Sequence, residues 1–173
     1  MRTRTTDASR RAAAAGIRRA GIVIVMAHVF IALHVILAVF IVGPMALLPH
    51  TGLRALRVRN AAQVRSLTTS VSIFSWLSLL VFLLGFAAEG AAHISFGHLW
   101  VWLSVLLYLA AFVLSVFVVV PNLRRGAEEI EQGEATIAGD KPVRPAAYSA
   151  VAATAGVTTI LLVVVVILMA FRP

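Results

Sequence analysis

Five histidines, His28, His34, His50, His93 and His98, and a carboxylate set in apolar sequence, Glu89, are the side chains here best suited to chemistry. In a membrane-embedded bundle, imidazole can ligate haem iron or a transition metal, or relay protons. A haem b held by two histidines needs them facing each other at similar depth. His34 alone lies deep within an apolar run, and His28, six residues earlier, points about 120° away around a helix. His28, Glu89, His93 and His98 form a second candidate set, with copper or zinc as the metal that imidazole and carboxylate suit. It requires the start of one apolar segment to meet the loop between two others, and E-x3-H-x4-H matches no established ligand signature. A proton path through His34 and Glu89 is a third option. The chain has no cysteine, which excludes disulfides, thiolate metal sites, iron–sulfur clusters and cysteine nucleophiles. It also lacks a phosphate-cradling glycine loop, a Ser-His-Asp order and paired catalytic carboxylates. The expectation is therefore no cofactor, with haem b or copper at His34 as the alternative.

The elements that must position these residues are membrane spans. Of 173 residues, 61% are hydrophobic and 13% charged, against about 25% charged in a soluble domain. Four apolar stretches, at about 22–48, 71–88, 99–120 and 146–171, each reach the roughly 20 residues that cross a hydrocarbon core. The fold class is all-α, a bundle of four transmembrane helices, preceded by a basic tail at residues 1–21. The first stretch is too long for the apolar core of a signal peptide and is read as retained. Gly43-Pro44 should bend the first helix and Pro49 should close it. Pro121 marks where the third leaves the apolar zone, with one or two amphipathic turns beyond it. Pro142 and Pro145 precede the fourth.

Lysine and arginine number six before the first stretch, four in the first loop, none in the second, four in the third and one after the last. This basic, neutral, basic order places loops one and three in the cytoplasm. The arginines of the tail argue the reverse, and the two sides total 8 against 7. The lipid bilayer, with anionic lipid near the basic tail and loops, is the expected partner, and nucleic acid is not.

Small and polar residues recur at helical spacing in every stretch, as helices associating in lipid require. At a rise of about 1.5 Å per residue, His34 lies about 18 Å from the loop-two face, Ser78 about 16 Å, Tyr108 about 13 Å and Thr159 about 18 Å. The four are expected to meet as a buried polar network near mid-membrane. With no extramembrane domain in the pattern and broad Val, Leu and Ile faces, the chain reads as a non-enzymatic accessory or stabilising subunit. Other membrane subunits, of a respiratory or transport assembly, are its expected protein partners.

The segment L-H-V-I-L-A-V-F-I-V-G-P, residues 33–44, resembles the first helix of a family of small, uncharacterised bacterial four-helix integral membrane proteins. That family is distantly similar to copper-resistance protein D-like and protoporphyrinogen-oxidase-like membrane proteins, which carry L-H-V-x-x-A-x-x-W-x-G-G. His34 and Gly43 match that motif, while Phe40 and Pro44 replace its tryptophan and second glycine. Trp100, Trp102 and the V-P-N-L-R-R run at 120–125 also fit. The resemblance implies a multi-pass protein of the bacterial inner membrane, cytoplasmic loops one and three, and His34 as the residue to test for haem or copper.

Overall fold

The computed structural model describes residues 3–91, 97–134 and 147–171. They form six α-helices: α1 (Thr3–Leu37), α2 (Gly43–Arg57), α3 (Ala61–Ala91), α4 (Leu99–Leu114), α5 (Val120–Glu134) and α6 (Ala147–Phe171). Five-residue π-helical segments, Ala38–Val42 and Ser115–Val119, join α1 to α2 and α4 to α5. The described chain thus holds four helices long and apolar enough to cross a membrane: Ala14–Arg57, Ala61–Ala91, Leu99–Gly133 and Ala147–Phe171. This is the expected all-α architecture.

Both π segments have one physical cause. Proline has no N–H to donate, and its ring crowds the carbonyl one turn back. Just ahead of Pro44, the Gly43 N–H reaches the carbonyl of Ala38, and just ahead of Pro121 the Val120 N–H reaches Ser115. Each bond skips five residues instead of four, which widens the helix and lets the chain pass its proline unbroken.

The helices run further than apolar length alone suggests. Pro49 does not close the first span; it lies buried inside α2, which continues to Arg57. The amphipathic extension after Pro121 is present and runs to Glu134, longer than the one or two turns expected, the second span starts at Ala61 rather than 71, and the basic segment at the N-terminus is helical from Thr3 and continuous with the first span. Outside lipid a helix needs only one apolar stripe. Leu123, Gly126, Ala127 and Ile130 supply it at helical spacing, while Arg124, Arg125, Glu128 and Glu131 face outward. Leu123, Ala127 and Ile130 form a core with Ala55, Leu56, Val64, Val71 and Val151, most of it fully buried.

A three-residue turn joins α2 to α3. Asn60 N–H donates to Ala55 at 3.1 Å and Arg59 N–H to Leu56 at 3.2 Å, the paired bonds of a Schellman cap. Arg59 takes the left-handed conformation (φ 56°) that glycine usually fills, and its guanidinium lies over Gly133 of α5. Asn60 then caps α3, its side-chain oxygen accepting the Gln63 N–H at 2.9 Å.

One plan is used twice. A span bent at a π segment is followed by a straight span, first α1–α2 with α3 and then α4–α5 with α6. α1 packs on α3 and α4 on α6, while α2 and α5 each pack against both α3 and α6. Leu56 of α2 fills the space over Gly126 of α5, and Leu123 of α5 fills the space over Gly52 of α2. The two bent helices interlock through these reciprocal leucine–glycine contacts.

Candidate functional site

His34 sits on the side of α1 that faces α3. Its Nδ1 donates to the carbonyl of Val81 at 2.9 Å. A Cβ at Gly85, one turn on, would stand 3.1 Å from the imidazole Cε1, so the glycine makes room for the ring. The bond requires a proton on Nδ1, and in the neutral form the imidazole would offer Nε2 as an acceptor. The ring is half-buried, at the seam between α1 and α3.

Behind it lies a closed polar line. Tyr108 and Ser78 share a hydrogen bond of 2.8 Å, Ser78 donates to the Ser75 carbonyl at 2.7 Å, and the Ser75 and Ser115 hydroxyls are 2.7 Å apart. All four side chains are buried. Phe82 stacks on the Tyr108 ring at 4.7 Å, holding the phenol aimed at α3. The hydroxyls of Ser104 and Thr158 are also buried, without a hydrogen-bond partner among the described groups.

The expected four-residue network is thus divided. Ser78 and Tyr108 meet, His34 takes a backbone carbonyl instead, and Thr159 pairs with His50 Nε2 at 2.9 Å while donating to its own helix at Ala155, 3.0 Å away. Equal depth put the four at one level without fixing their bearing around each helix. His50 was missed as a partner because it falls outside the apolar core; the bend ahead of Pro44 lays α2 along α6. Ser75 and Ser115 were visible as members of the small-residue stripes.

The second candidate set does not gather among the described residues. His28 is exposed, and its Nδ1 donates to the carbonyl of Ile24 at 2.7 Å in its own helix. His98 is exposed at the start of α4 and stacks on Trp100 with ring centroids 6.3 Å apart. Glu89 is half-buried near the end of α3 with an interaction of its own. His93, like Pro142 and Pro145, lies outside the described residues. No three of His, Asp and Glu among those described are close enough to hold a metal. For haem b or copper, His34 offers one nitrogen, and no second described histidine stands beside it.

Long apolar helices, inward hydroxyls and charge confined to the ends define a polytopic integral membrane protein. Residues 28–173 match the family described as predicted integral membrane protein, DUF2269, and the chain belongs to that family. No curated protein and no solved structure matched the chain. The family description specifies membrane integration and no ligand, reaction or partner.

Proposed function

We propose that this protein is a non-enzymatic subunit of a larger membrane assembly, of the respiratory or transport kind, and that it joins its partners through α1. The observation that carries this reading is the contrast in burial between the bent spans. Of the 18 residues in the most apolar stretch of Ala14–Arg57, 6% are buried within the chain, against 39% of those in the corresponding stretch of Leu99–Gly133. Lipid tolerates an exposed apolar face, and association there depends on packing and polar contacts rather than on hydrophobic drive. An apolar stretch with so few buried residues contributes chiefly through what it meets outside. His34 gives that helix a polar group whose Nε2 has no described partner in this chain.

The test is photo-crosslinking from Val35 of α1 and Phe40 of the π segment after it, both well exposed, in native membranes at native expression. The expected result is a discrete crosslinked membrane protein that co-purifies in mild detergent. Recovery of the monomer alone, crosslinked only to lipid, sinks the proposal.

One feature favours a second reading, in which His34 contributes one ligand to haem b or copper shared with a partner helix. Metal-bound histidines commonly donate their other ring nitrogen to a backbone carbonyl, as His34 does to Val81. Such a group would bring electron transfer to the assembly. An absorbance spectrum and metal analysis of the co-purified assembly decide it: no Soret band and no stoichiometric copper end this reading.

A further inference from the structure

We infer that the cleft between the end of α2 and the start of α6 binds the phosphate of an anionic glycerophospholipid. The cleft is shallow and open on one side, with a volume of about 410 Å³, and is lined by His50, Leu53, Arg54, Arg57, Val58 and Tyr148. Two of these six residues are arginines and none is acidic. Arg54 and Arg57, three residues apart, share a face of α2. The Arg57 guanidinium is already placed, donating to the Tyr148 hydroxyl at 2.5 Å with its carbon 5.7 Å from the centre of that ring. One of its five donors is used, and the rest remain for the oxygens of a phosphate, which guanidinium meets in a planar, bidentate fashion. Tyr148 is the second residue of α6, so the positive end of a 25-residue helix lies at the same cleft.

The order of residues along α2 identifies the source of the phosphate. From the membrane interior outward, one face presents Leu47, His50, Arg54 and Val58, spaced three to four residues apart. Leu47 is 65% exposed and Val58 64% exposed. Apolar surface therefore borders the arginines, and the Leu47 end continues into the membrane, as acyl chains attached to a bound headgroup require. A soluble phosphate compound would make no use of that stripe. His50, the lining residue nearest the membrane interior, is paired with Thr159 of α6.

Delipidated full-length protein is titrated with phosphatidylglycerol, phosphatidylcholine or inorganic phosphate, and bound adducts are counted by native mass spectrometry. Phosphatidylglycerol is expected to bind in preference to phosphatidylcholine. Millimolar inorganic phosphate is expected to leave it in place. At about one arginine's worth of headgroup attraction each, Arg54→Gln should weaken binding about fivefold and the Arg54→Gln, Arg57→Gln pair about thirtyfold. The Arg124→Gln, Arg125→Gln pair removes the same charge from the exposed side of α5 and should change affinity by less than about twofold. If the double variant at the cleft does not fold, Arg54→Gln alone decides, because its side chain is exposed. Equal loss from both double variants overturns the inference in favour of undirected charge attraction. Unchanged affinity in Arg54→Gln overturns it outright, and displacement by inorganic phosphate reassigns the cleft to a free anion.

Discussion

The two bent spans are built alike and used differently. Each is a long apolar helix with a π segment ahead of a proline and an extension beyond the apolar zone. α4 buries Trp100, Val101, Ser104, Tyr108, Ala111 and Phe112. α1 and its π segment, over their described side chains, bury only Ala27 and Ile41, and leave Ile22, Val29, Val35, Val39 and Phe40 exposed. The apolar stretches themselves are equally hydrophobic, so composition does not set this difference. In lipid an apolar residue gains little by choosing protein over acyl chain, and burial follows shape and polar pairing instead. α4 has both, through Tyr108 and its close fit on α6. At the level of its bare stretch α1 has a single cross-helix polar bond, His34 to Val81.

The largest expected effect lies where the two halves interlock. Leu56 is fully buried against Gly126, in a part of the molecule whose outer faces carry charge and whose core is shielded from water. Leu56→Ala should cost about 2–5 kcal/mol, read as a fall in the detergent unfolding midpoint. Phe40→Ala, at a position 69% exposed in the π segment that follows α1, should change stability by no more than about 0.5 kcal/mol. Equal losses would show that α1 is as much a part of the fold as α2, and the comparison would fail.

A smaller effect is expected at the polar line, where the order of two variants is informative. Ser78→Ala leaves the Tyr108 hydroxyl buried without its partner, at a cost of about 1–3 kcal/mol. Tyr108→Phe removes the hydroxyl itself, while Ser78 keeps its bond to the Ser75 carbonyl, so the cost should be nearer 0.6 kcal/mol. Thermal unfolding in detergent compares them, and a reversed order would mean that Tyr108 has a partner besides Ser78. His34→Leu should cost about 1 kcal/mol in the isolated chain, because the Val81 carbonyl retains its helical bond. Its loss should be larger in co-purification of partners than in folding. If folding suffers and assembly does not, His34 serves the bundle alone.

How far the sequence reveals this molecule differs between its parts. The four spans are legible because about 20 apolar residues leave few alternatives. The irregularity of the first span is legible from Gly43-Pro44, whereas Pro121 marks only the edge of the apolar zone and does not announce the second π segment. The extensions are not legible by apolar length, because Leu56, Val64, Leu123 and Ile130 stand among arginines and glutamates and their stripe becomes visible only on a helical face. His50 with Thr159, 109 positions apart in the chain, depends on how α2 leans after its bend, which no local pattern encodes. Orientation is likewise undecided by charge, with 8 basic residues against 7. The absence of native cysteine permits a direct test. In intact cells, cysteine at Gly90 should react with an impermeant thiol reagent and cysteine at Arg125 should not; the opposite pattern would show that the N-terminal arginines stay inside.

A small effect should also come from the contact that looks strongest on inspection, the ion pair between Arg65 at the start of α3 and Glu131 of α5. It joins α5 to α3, beside the core where α2 and α5 interlock, and charge pairing at first sight explains why α5 stays beside α3. Its side chains, however, are 58% and 45% exposed. Water screens such a pair, and the entropy of holding two long side chains in register offsets much of the attraction. Between the same helices, Val64, Leu123 and Ile130 are fully buried, and each stabilises by about 1.5–3 kcal/mol. Arg65→Ala should therefore cost about 0.2–1 kcal/mol, and less at high salt. The measurement is the unfolding midpoint at low and high ionic strength, beside Ile130→Ala, which should cost several times more and show no salt dependence. A loss at Arg65 that matched Ile130→Ala would make α5 an electrostatically docked helix, and its resemblance to α2 would then be one of shape alone.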